Sequence, residues 1–138
     1  MTDPELVAKR LAYIETCVRQ LQTLARPERL AEDVKDERFV EHTLQLAIQA
    51  AIDVASHILS DDRLGEPETS RDVFRLLGRT GILPLALTAR LEDMAGFRNM
   101  VVHGYLDVDL GIVRDIVDNH LDDLLQFATA IRARLPPR

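Results

Sequence analysis

The chain has 138 residues, 46% hydrophobic and 29% charged, with a net charge of −6 at neutral pH. Length and composition fit one globular domain spanning 1–138 that can bury a core of its own. The negative balance argues against a protein that tracks long stretches of nucleic-acid backbone, although it leaves room for a small basic site.

Aromatic residues make up only 4% and there is no tryptophan, so the core must come from Leu, Val, Ile and Ala. Of 17 basic residues all but Lys9 and Lys35 are arginines, whose rigid fork suits carboxylates and phosphates. A high genomic GC content would produce the same bias. Cys17 stands alone, which rules out an internal disulfide or a cysteine-based zinc site and points to a reducing, cytoplasmic setting. The opening "MTDPELVAKR" lacks the apolar centre of a signal peptide, and no run approaches the roughly 18 apolar residues of a membrane span.

In chain order, Asp3 and Pro4 form a favoured N-cap and first-position pair. Val7, Leu11, Ile14, Val18, Leu21 and Ala25 then alternate steps of four and three along one helix face. Pro27 ends this helix or starts a short new piece. A second long helix is predicted over 36–59. Its segment "LQLAIQAAIDVASHIL" is apolar on more than one face and belongs at the centre of the fold. The stretch "SDDRLGEPETS" (60–70) reads as a loop. A short helix capped by Thr69 or Ser70 follows and ends near Gly78 to Gly81. Pro84 opens the next helix, which Gly104 is placed to end.

The last helix is the most regular in the sequence. Leu110, Val113, Val117, Leu121, Leu124, Ala128, Ile131 and Leu135 hold the same alternation almost to "PPR". No segment alternates with a period of two, and no repeat of solenoid length appears. The fold class is therefore all-α, an up-down bundle of four to five main helices.

Along the helix from Pro84 the apolar stripe runs Leu87, Leu91, Met94 and Val101, but positions 98 and 105 hold Arg98 and Tyr105. An arginine on a buried seam is costly unless it meets an anion or a water-filled cleft. His103, five residues on, lies about 140° around an ideal helix from Arg98. The two share a site only if the helix loosens at Gly104 or a second subunit completes it. Asn99 shares a face with His103 and is placed to orient its ring. Taken singly, Arg98 as a bridge to a neighbouring carboxylate and His103 as a helix-end cap are the simpler readings.

Together, however, "RNMVVHGY" resembles the R-x4-H-x-Y signature of the HEPN superfamily, and more narrowly of the HepT-like toxins. The surrounding "LEDMAGFRNMVVHGYLDVD" and the distant "AIQAAIDVASHIL" are similar to the same family, so the likeness runs from about 37 to 131. The resemblance implies a homodimeric helical bundle acting as a metal-independent ribonuclease without a cofactor. A minimal nucleotidyltransferase antitoxin (MntA-like) would be its partner and RNA its substrate. By the same resemblance, Arg98 and His103 are catalytic in a cleft at the dimer interface, and Tyr105 is the tyrosine that the antitoxin modifies with AMP. The assignment is chemically sensible. Histidine can move protons between the 2′-hydroxyl and the leaving oxygen, and arginine can hold the charge of the pentavalent transition state.

Secondary candidates are fewer. Asp53 and His57 lie four apart on the central helix. The resemblance places Asp53 where it would line the cleft or brace Arg98, while a self-satisfied Asp53–His57 pair is the simpler alternative. Arg71, Arg75 and Arg79 form a basic stripe that would contact RNA or an acidic partner, or merely face solvent beside Asp72. His42 and His120 read as structural or surface residues. A different class of function stays open: a non-catalytic helical adaptor that binds a nucleotidyltransferase. Such an adaptor would not need the complete triplet.

Overall fold

The cap-and-stripe pattern of the first segment gives the first helix. A computed structural model describes residues 3–104 and 108–136. In it α1 covers Pro4–Leu24, with the Asp3 carboxylate accepting from the backbone of Glu5 and Leu6 at 3.0 and 3.3 Å. Val7, Leu11, Ile14, Val18 and Leu21 are all buried, as the stripe requires, and Cys17 joins them. Pro27 starts a short 3-10 turn, Pro27–Arg29.

Helix α2 spans Val34–Asp61 and begins two residues before the predicted start, because Asp33 caps it through the Lys35 backbone at 2.9 Å. Ala47, Ile48, Ala50, Ala51, Ile52, Val54 and Ala55 are buried on more than one face. The helix touches α1, α3, α4 and α6 and is the centre of the packing. Helix α3, Ser70–Arg79, starts from Thr69 rather than Ser70, since Thr69 and Asp72 complete a reciprocal capping box. Helix α4 covers Leu85–Gly104; the Pro84 carbonyl accepts both the Thr88 amide and the Thr88 hydroxyl at 2.9 Å. At the α3–α4 crossing a Cβ on Gly78 would lie 2.6 Å from Thr88 Oγ1, so only glycine permits this approach.

The predicted single last helix is in fact two, α5 at Leu110–Asn119 and α6 at Leu121–Arg132. His120 breaks it at φ −125° and ψ 3°, with its ring held 3.2 Å from Asp115 on α5 and 3.2 Å from Asp123 on α6. The stripe conceals the corner because both halves present it to the core. Helix α5 packs on the 3-10 turn, while α6 packs on α1, α4 and α2. Phe127, outside the stripe, is fully buried and meets Phe74 of α3 edge-on with ring centroids 5.8 Å apart.

The fold is all-α, with no strand among the described residues. Among those residues no helix is long and apolar enough to cross a membrane.

Candidate functional site

Helix α4 carries Arg98 between two kinds of neighbour. Met94, Ala95, Phe97 and Val101 are buried in the core, whereas Asn99 is half-buried and Met100 exposed. Arg98 itself is half-buried, at the edge of the seam rather than within it, and its guanidinium reaches α2. Nη1 donates to Asn99 Oδ1 at 2.7 Å, and Nη2 donates to Gln49 Oε1. Both acceptors are neutral amides. No carboxylate among the described residues forms an ion pair with Arg98, so its charge is oriented without being cancelled. The bridge to a neighbouring carboxylate, the simpler reading from sequence, is not made there.

The polar chain continues behind Gln49. Its Nε2 donates to Asp53 Oδ1 at 2.8 Å, and Asp53 Oδ2 lies 3.7 Å from Arg10 Nη1 on α1. Asp53 is therefore linked to Arg98 only through Gln49. The alternative Asp53–His57 pair does not form: His57 Nε2 instead lies 3.1 Å from Asp61 Oδ2. Asp53 is thus engaged one turn toward the N-terminus, while His57 sits against Asp61 one turn toward the C-terminus.

His103 is exposed on the last turn of α4, and the structure does not join it to Arg98 within one chain. Asn99, expected to orient the His103 ring, accepts from Arg98 Nη1 through its Oδ1. Tyr105 lies outside the described residues.

The basic stripe on α3 is largely spent on helix packing. Arg75 lies 3.0 Å from Asp72 and 3.2 Å from Glu92 of α4. Arg71 lies 3.8 Å from Asp93, with its guanidinium against Gly96 of α4. Arg79 is exposed at the helix end. Two of the three expected contact residues thus tie α3 to α4.

Sequence reasoning passed over Gln49 and Arg10, although the i, i+4 spacing of Gln49 and Asp53 was readable. His120, taken as structural or surface, is a structural staple. It shares Asp123, only 5% exposed, with Arg90, whose Nε donates to that carboxylate at 2.8 Å.

Beside the last turn of α4 lies a groove of about 450 Å³ lined by Arg38, Glu41, His42, Gln45, Val101 and Val102. Burial, reinforced by the nearby Glu37, pushes the Glu41 carboxyl above its ordinary pKa, against a smaller opposing pull from Arg38. The folded state then holds this proton more tightly than the unfolded chain, so stability falls as pH rises through that interval. Glu41→Gln is expected to raise the melting temperature at about pH 7 and to lose this advantage below the ordinary glutamate range. Thermal melts of both proteins across pH check it. Among the described residues no three His, Cys, Asp or Glu side chains converge as a metal site would require.

The architecture and sequence can now be compared with known proteins. The family profile described as Ribonuclease HepT-like matches residues 11–131. The chain is 33% identical over 130 residues to the mRNA nuclease HepT of Shewanella oneidensis, covering 94% of this chain and 98% of that one. It is 34% identical over 112 residues to the tRNA nuclease HepT of Aphanizomenon flos-aquae, covering 78% and 74% respectively. Among solved structures it resembles the tri-AMPylated Shewanella oneidensis HEPN toxin in complex with MNT antitoxin. That match has a TM-score of 0.87 and 33% identity, covering 97% of this chain and 100% of the other. With most of its length matched by profile, sequence and architecture, the chain belongs to the HepT-like ribonuclease family.

Proposed function

We propose that this chain, as one domain over 1–138, is the ribonuclease toxin of a toxin–antitoxin pair. The observation that carries the reading is the state of Arg98: a half-buried guanidinium held by two neutral amide oxygens and paired with no carboxylate among the described residues. Such a group suits an RNA phosphate, whose oxygens match the arginine fork. Relatives described as mRNA and tRNA nucleases support RNA as the substrate class.

In this reading Arg98 binds the scissile phosphate and stabilises the charge that builds up as the 2′-oxygen attacks phosphorus. His103 takes the 2′-hydroxyl proton or returns one to the departing 5′-oxygen, and the reaction needs no metal. One histidine cannot easily do both at once, so two copies of the chain would supply two. A homodimer also answers the separation of Arg98 from His103. Met100 and Val102, 44% and 37% exposed beside His103, support a second copy covering that end of α4. A nucleotidyltransferase antitoxin would silence the toxin by placing AMP on Tyr105, where a bulky anion competes with RNA for Arg98. The AMPylated HEPN toxin found with its MNT antitoxin supports this arrangement.

The test is an RNA cleavage assay in excess chelator, comparing wild type with His103→Ala on transfer and messenger RNA. Intact mass must first show the protein free of AMP. Cleavage by the wild type and a loss of about 10²- to 10⁴-fold in the variant is expected. No cleavage from folded, unmodified wild type would leave the non-catalytic adaptor as the better reading.

A further inference from the structure

Arg98 is aimed by a chain of side chains that crosses three helices. Asn99 Oδ1 accepts from Nη1, Gln49 Oε1 accepts from Nη2, Gln49 Nε2 donates to Asp53 Oδ1, and Asp53 faces Arg10. We infer that Gln49 is a positioning residue for Arg98, a polar relay that fixes the guanidinium while keeping it cationic. The inference rests on Arg98 acting on the RNA phosphate.

The chemistry of the amide is the argument. A glutamine has an acceptor at one side of its end group and donors at the other. Here the acceptor faces a cation and the donor faces a carboxylate. Turning the amide over would set donor against donor and acceptor against acceptor, so the two flanking charges hold it in one orientation. Asp53 could not do this work directly. A carboxylate in contact with Arg98 would neutralise it and compete with the phosphate, whereas one step back it only polarises the amide. Arg10 offsets part of the Asp53 charge from the far side. A packing role alone, tying α2 to α4, would require none of this polarity.

Two substitutions separate the roles. Gln49→Leu keeps the bulk and removes the relay. It should lower kcat/KM by about 10- to 100-fold, a loss of the size expected when a catalytic group is misplaced. The ratio of variant to wild type should not change with pH. Gln49→Glu should lose a similar amount at about pH 8, where the new carboxylate pairs with Arg98 and cancels it. Arg98 in direct contact keeps that carboxyl ionised against the opposing push of Asp53, so the loss should persist across the neutral range.

Gln49→Glu or Gln49→Leu cleaving within about twofold of wild type while Arg98→Ala is inactive overturns the relay and leaves the function intact. A fully active Arg98→Ala protein instead overturns the functional reading. An activity-independent measurement accompanies these. Nitrogen-15 NMR should resolve distinct Arg98 Nη signals in wild type and averaged ones in Gln49→Leu. Averaged signals in the wild type would sink the relay even if no substrate were cleaved.

Discussion

Arg98→Lys is expected to lower RNA cleavage by about 10²- to 10³-fold, although the charge is retained, because a point charge cannot replace a fork at a developing anion. Arginine here makes one bond to Asn99 and one to Gln49, and in the proposed reading its remaining N–H groups face the phosphate. An ammonium has three donors on one flexible atom. Bound to both amides, it has one left and no fixed direction for it. Because Arg98 sits at the edge of the core, melting should change little beside this rate loss. Single-turnover cleavage with the melting temperature measured in parallel checks the expectation. A lysine variant within about threefold of wild type would mean that charge alone suffices and that the two amides are incidental.

The second large effect concerns stability. Phe127→Ala should cost about 3–5 kcal/mol, the range for emptying a fully buried aromatic site. Phe127 of α6 and Phe74 of α3 are both fully buried and meet edge-on. The contact links helices distant in sequence, and a chain so poor in aromatics has little else of that size to fill the gap. Domains of this kind have a total stability of only about 5–15 kcal/mol, so the variant should unfold at much lower denaturant concentration. Phe127→Leu, which keeps most of the volume, should cost less than about 1.5 kcal/mol. Urea midpoints for the two variants decide it. Equal losses would place the effect in the lost aromatic pairing rather than in the cavity.

Much of the helical frame was readable from residue type and period. The α1 stripe and its Asp3–Pro4 start appear as read, and α2 is central because its apolar residues cover more than one face. The break at His120 was not readable, since a stripe records which face is buried and both halves bury the same one. The corner depends on two carboxylates meeting one ring, a fact of three dimensions. The same limit applies at the site. Arg98 was conspicuous because a charge interrupts an apolar seam, whereas Gln49 is an ordinary residue in a helix and becomes notable only once α4 lies against α2. The bond between Asn99 and its chain neighbour Arg98 was likewise missed, because helical spacing identifies who shares a face but not where a long side chain turns back. The roles of His103 and Tyr105 came from a motif, and within one chain His103 remains apart from Arg98.

The polar chain behind Arg98 has a consequence for the making of the protein. Its members sit at positions 10, 49, 53 and 98, drawn from the first, second and fourth helices. No two consecutive helices can assemble it completely. A ribosome-bound chain that has released only α1 and α2 can already join Arg10, Asp53 and Gln49, leaving an amide oxygen without its cation. Arg98 arrives some 45 residues later and docks last. In the proposed reading, the site around Arg98 is therefore completed late, after most of the chain has emerged.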